Sequence, residues 1–257
     1  MANLPRLRLH RPASPYMKNF EHVYLPTIDE LARAVASAWL DELTAAYRRG
    51  EAQYVALSGG RSAKAFFSAV AAQASRGEAR LSRVHFFWAD ERCVPPEDRD
   101  SNFRLAQELL FAPMKIGKDY VHRVRGEETP DVGASEAERE IRRVASLNSE
   151  GQPVLDLVFL GMGEDGHVAS LFPTEPNSAK TEKTVYRGIR DSPKPPPNRV
   201  TLSYAAIAAA KQVWVLVSGA GKAAALRESL DPTGQTPLAQ VIQSRSQTRI
   251  ISDIPLN

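Results

Sequence analysis

Residues 155–173 read LDLVFLGMGEDGHVASLFP. The run 155–160, apolar except for Asp156, has the length of a strand, and it lacks the polar alternation of a strand with one wet face. It is therefore expected to be buried on both faces in a parallel sheet. At Gly161 the run breaks into a turn holding three glycines, two acids and His167. A strand that ends in such a loop places its polar groups where ligands bind in open α/β sheets.

Outward from this stretch the same alternation recurs. Apolar runs at 22–25, 54–57, 84–88, 213–217 and 248–251 read as strands, with helical patterns at 28–49, 62–74, 102–110, 133–147 and 221–229. Thr27 with Glu30 three residues on predicts a capping box, and Gly50 a helix stop. Residues 174–198 lack periodicity, and prolines at 193 and 195–197 predict an extended surface loop with one short strand near Val185. The fold class is α/β, with a mostly parallel sheet covered by helices on both faces.

The 257 residues carry 43% hydrophobic and 25% charged side chains, enough for one large domain over 1–257, with 1–18 expected as an irregular extension. The single cysteine, Cys93, makes no internal disulfide and fits a reducing compartment, and residues 1–11 hold no signal-like apolar run, so a cytoplasmic location is expected. A net charge of +3 and 7% aromatic residues give no basic stripe or stacking platform for nucleic acid. No zinc spacing, Walker sequence or dinucleotide fingerprint is present. The expected partner is a small molecule, with no membrane, no metal and no cofactor, and the chain is expected to be a monomer or small homo-oligomer.

Three strand-end loops carry the chemistry. SGGRSAK, residues 58–64, opens a helix after two glycines, and free NH groups at a helix start favour an anion; Gly59, Gly60, Arg61 and Ser62 are the candidates. WADERCVPP, residues 88–96, sets Asp90, Glu91 and Arg92 directly after a strand, the arginine offering a planar fork for phosphate. In the third loop His167 is the candidate general base, and Asp165 a hydrogen-bond acceptor for either its imidazole or backbone NH groups. Arg199, and Lys222 in the GAGK turn, suggest a second anion-binding wall. The residues alone point to a phosphorylated small molecule and a histidine moving a proton.

SGGRSAK, WADERCVPPEDRDSN, LGMGEDGHVASLFP and RVTLSYAAI occur in the order found in 6-phosphogluconolactonases, and the chain resembles that family over about residues 20–251. The resemblance implies a modified Rossmann-like fold shared with glucosamine-6-phosphate deaminases, and hydrolysis of 6-phospho-D-glucono-1,5-lactone in the oxidative pentose phosphate pathway. It implies His167 as general base, Arg92, Arg199 and Lys222 near the phosphate, a cradle at Gly59 and Gly60, and Asp90 and Asn102 on the sugar side. The family often has serine, threonine and proline after the two glycines. Here Arg61, Ser62, Ala63 and Lys64 stand instead, so Arg61 or Ser62 is the candidate substitute. An amino-sugar phosphate deaminase would share the fold, but its loop tends to run toward AFNEP where residues 169–173 read ASLFP. A non-catalytic sugar-phosphate sensor would not need His167.

Overall fold

Nine strands form among the residues that the computed structural model describes, 19–74, 81–176 and 178–256; the expected extension 1–18 lies outside them. In chain order they are β1 (Phe20–Tyr24), β2 (Gln53–Leu57), β3 (Val84–Trp88), β4 (Asp90–Arg92), β5 (Leu157–Gly161), β6 (Tyr186–Ile189), β7 (Arg199–Leu202), β8 (Gln212–Val217) and β9 (Thr248–Ser252). Six pair in parallel, in the order β1-β9-β8-β5-β2-β3. The central strands β5 and β8 are apolar at successive buried positions, as strands covered on both faces must be, whereas the edge strand β1 is only half-buried. Helices flank this sheet, and the class is α/β as expected.

The Ile28–Arg48 helix buries Leu31, Val35, Trp39, Leu43 and Ala46 along one stripe. Trp39 packs on Phe66, Phe86 and Phe159 at ring-centre distances of 5.6, 6.4 and 5.4 Å. Phe159 in turn meets Trp214 edge-on at 5.7 Å, so one aromatic chain ties the helix layer through β5 to β8. Truncating Trp39 to alanine would cost about 3–5 kcal/mol. The helix is capped by Thr27, whose hydroxyl accepts from the Glu30 NH at 3.2 Å, and the chain turns at Gly50 with φ of +75°. The second half of the expected capping box is not made: Glu30 Oε2 is buried without a partner.

Two expectations need correction. The helix predicted over 133–147 runs from Pro130 to Val144, because a proline with fixed φ starts a helix at its first position, behind Thr129 as N-cap. Residues 90–92, read as loop, form β4, the edge of a separate antiparallel sheet of order β4-β7-β6. In the segment 174–198 the one short strand expected near Val185 forms as β6, and the Ser178–Thr181 helix was not expected.

The small sheet docks on the large one through Tyr186, whose buried hydroxyl donates to the Trp88 carbonyl at 2.7 Å. It thereby stands over the C-terminal ends of the parallel strands. β3 lies on one side of β2, while β5 returns on its other side and β8, β9 and β1 continue outward from it. The strand order thus reverses between β2 and β5, and the crevice beyond their carboxyl ends is where such sheets bind ligands. No helix among the described residues is long and apolar enough to cross a membrane.

Candidate functional site

A cavity of about 140 Å³ opens at that reversal. It is lined by residues 58–62, by Asp90 and Arg92, by Gly161, Met162, Gly163, His167 and Ala169, and by Arg199 and Lys222. All three strand-end loops meet there. Ser58 Oγ donates to the Phe159 carbonyl at 2.9 Å, fastening the end of β2 to β5.

His167 is held from several directions. The Gly163 NH donates to the His167 carbonyl at 2.9 Å, and the Gly166 NH to the Gly163 carbonyl at 3.1 Å, closing a tight turn that needs φ of +77° at Gly166. A β-carbon at Gly163 would collide with the imidazole and with the Asp165 carboxylate. Asp165 Oδ1 receives the imidazole Nδ1 at 2.5 Å and the His167 backbone NH at 3.3 Å, so both of the partners left open by the sequence are used. An ionised carboxylate only accepts, so Nδ1 carries the proton and Nε2 keeps its lone pair. Phe172 packs against the ring at 4.7 Å. Burial works against the Asp165 charge, but the hydrogen bond and charge of His167 outweigh it and hold the carboxyl below its usual range.

The cationic wall is a product of the second sheet. In the β4–β7 register Arg92 stands directly opposite Arg199, and Asp90 opposite Thr201. Like charges facing each other across a strand pair are destabilising. Part of the repulsion is offset by Asp90 Oδ2, 3.9 Å from Arg199 Nη1. The two arginines are not equivalent. Arg199 spends its donors on the carbonyls of Lys194, Pro195 and Pro196 and on Ser170 Oγ, holding the proline-rich loop against the site. Burial above all, eased by Asp90 but reinforced by Arg92, lowers its pKa. Arg92 donates from Nη1 to the Asp100 carbonyl at 2.7 Å, while its Nε is buried with no partner. A buried guanidinium NH without an acceptor, beside a cavity, has the chemistry to receive an anion.

Across the cavity, Gly60 begins the Gly60–Ala74 helix with φ of +90°, and Gly60, Arg61 and buried Ser62 present the first helical turn to it. Lys222 arrives on a short turn after Gly219, whose NH donates to Asp253 Oδ1 at 2.9 Å. Burial and then the charge of Arg61 lower the Lys222 pKa, against Glu164 and Asp253.

Asn102 does not line the cavity but supports it from behind. Its Nδ2 donates to the Asp90 carbonyl at 2.9 Å and reaches Oδ1 at 3.4 Å, and its amide oxygen packs against Gly59. Asp90, 4% exposed, also accepts from Ser170 Oγ at 2.8 Å. Ser170, Tyr186 and the Arg92–Arg199 pairing escaped the sequence reading, since nothing local in ASLF or RVTL announces a partner some eighty or more residues away. Among the described residues no three His, Cys, Asp or Glu side chains converge as a metal site would require.

The model for glucosamine-6-phosphate isomerases/6-phosphogluconolactonase matches residues 26–251. A 6-phosphogluconolactonase from Streptomyces coelicolor is 35% identical over 80% of this chain and 80% of its own length. One from Mycobacterium tuberculosis is 35% identical over 80% of this chain and 83% of its own. The solved structure of 6-phosphogluconolactonase from Trypanosoma brucei superposes with a TM-score of 0.78 at 27% identity, covering 90% of this chain and 95% of that one. The chain belongs to the glucosamine-6-phosphate isomerase/6-phosphogluconolactonase family.

Proposed function

We propose that the protein hydrolyses 6-phospho-D-glucono-1,5-lactone to 6-phospho-D-gluconate, the lactone-opening step of the oxidative pentose phosphate pathway. The observation that carries this reading is the oriented Asp165–His167 pair facing a cationic wall across one small cavity. Arg92, through its unpartnered Nε, and Lys222 hold the phosphate, with the Gly59–Gly60 helix start adding backbone NH donors and Arg61 lending charge. Ser62 stands in the same turn, and Arg199 backs Arg92 from the opposing strand.

Water bound between the lactone carbonyl carbon and His167 gives its proton to Nε2 as it attacks. Charge collects on the carbonyl oxygen, and the tetrahedral intermediate collapses with cleavage of the bond to the ring oxygen. The imidazolium returns its proton to that oxygen, leaving a hydroxyl and a carboxylic acid that ionises. Asp165 stabilises the imidazolium without taking the proton, and Asp90, fixed by Ser170 and Asn102, orients sugar hydroxyls. Proton transfer contributes about 10²–10⁴-fold, an adequate share for an ester already activated as a lactone. The test follows loss of the lactone against its spontaneous opening, with glucosamine 6-phosphate as a parallel substrate. Turnover of the lactone alone is expected; deamination of the amino sugar with no effect on the lactone would overturn the assignment.

A further inference from the structure

Asp90 and Arg92 face the cavity, and strand alternation turns Glu91 between them to the other side. There Glu91 is 2% exposed. Oε1 accepts the backbone NH groups of Arg92 and Asn102, each at 2.7 Å, and Oε2 accepts the Phe103 NH at 2.7 Å and the Ser101 hydroxyl at 3.2 Å. Four donors surround one carboxylate. A buried charge is costly unless its hydrogen bonds are complete, and here they bind the strand to the start of the Asn102–Ala106 helix. Burial raises the carboxyl to about 7 against the pull of those backbone NH groups.

Two consequences reach the cavity. Arg92 leans its Nη1 on the carbonyl of Asp100, the residue immediately before the segment that Glu91 grips. Glu91 thus fixes both the backbone from which Arg92 springs and the carbonyl that aims its guanidinium. It also fixes Asn102, and through Asn102 the position of Gly59. We propose that Glu91, which does not itself line the cavity, is a positioning residue for the anion seat, acting through Arg92 and Asn102. The proposal rests on the functional reading above only for the identity of the anion.

Glu91→Gln keeps the size but turns an amide NH₂ toward two of the four donors. Inorganic phosphate, titrated by calorimetry, should bind about 10–100-fold more weakly, and KM for the phosphorylated lactone should rise by a similar factor. kcat, which depends on His167, should stay within about threefold. In an Arg92→Ala background the same change should cost much less, since its target is gone. Glu91→Asp, which keeps the charge, should recover part of the affinity and serves as the readout should the glutamine variant fail to fold. A lowered melting temperature with unchanged phosphate affinity and KM would reduce Glu91 to a fold element and overturn the proposal, as would full additivity with Arg92→Ala. Weakened phosphate binding in a protein that never opens the lactone would retain Glu91 and discard the activity. A wild-type protein that binds no phosphate would overturn both.

Discussion

The side chain of Asn102 occupies the space that a β-carbon on Gly59 would need. The first glycine of the SGG turn is therefore required by its neighbour, since its φ is not among the positive ones, whereas Gly60 is required by its φ of +90°. Gly59→Ala should force Asn102 away from Asp90 and displace the start of the Gly60–Ala74 helix, lowering kcat/KM by about 100-fold, the order of loss that small misplacements cause. Asn102→Ala in the same chain should return part of that loss by vacating the space. A double-mutant cycle measures it: coupling near zero would mean that the clash is relieved elsewhere.

The Asp165 carboxylate fixes which imidazole nitrogen carries the proton. Asp165→Asn can turn an NH₂ toward Nδ1, stabilising the tautomer whose Nε2 is protonated and cannot accept from water. kcat should fall about 10–10³-fold with KM nearly unchanged, and His167→Asn should fall further, by about 10²–10⁴-fold, with the fold intact. Steady-state rates corrected for spontaneous opening, alongside thermal melts, separate the cases. A stable His167→Asn variant with near wild-type kcat would remove the histidine from the mechanism.

How much of this was legible in the sequence depends on how local each signal is. The parallel strands and the SGG and GMGEDGH loops were readable because apolar runs ending in glycine state their own structure within ten residues. The Asp165–His167 contact, two residues apart, was half readable: the acceptor was named, but which donor it serves, imidazole or backbone NH, was not. The antiparallel sheet was not readable. Asp-Glu-Arg has the composition of a solvated loop, and it becomes a strand only because residues 199–202 lie beside it, over a hundred positions later. Glu91 was legible only as one of the Asp90–Arg92 cluster, because its role depends on the side of a strand that composition did not reveal.

Stability should decline in two stages as pH falls. Burial above all lowers the pKa of His22, His85 and His122, so the unfolded chain takes up protons at higher pH than the folded one does. Their contribution is complete above the unfolded value of about 6.5 and is lost below it. Glu127 and Glu140, held at about 2 chiefly by hydrogen bonds from Arg123 and Arg143, contribute fully above their unfolded range and lose that contribution as pH falls toward 2. Glu91, raised to about 7, acts in the opposite sense between its unfolded value and 7. Urea midpoints at pH 8, 6 and 3 should therefore fall, most steeply in the acid stage. Glu127→Gln should flatten that stage; an unchanged slope would show the pair to be screened to insignificance.

Arg92 and Arg199 face each other across two strands, tempered by Asp90 and more weakly by Asp100, and Arg92 keeps a buried NH unpaired. Both features are costs in the free protein, and one dianion placed at the cavity wall would relieve both. Two expectations follow from that single geometry. The 6-phosphorylated lactone should be preferred strongly over glucono-1,5-lactone, since each charge-assisted hydrogen bond contributes about 1.5–3 kcal/mol. The stable product 6-phosphogluconate should also raise the melting temperature, by linkage: at about a hundred times its Kd the folded state gains about 2.7 kcal/mol. Arg92→Ala should abolish most of both effects, while Arg199→Ala, which frees the carbonyls of residues 194–196, should also lower the melting temperature of the free protein. Equal specificity constants for the two lactones, or a product-induced shift that survives Arg92→Ala, would place the phosphate elsewhere and leave Lys222 and Arg61 as the next groups to replace.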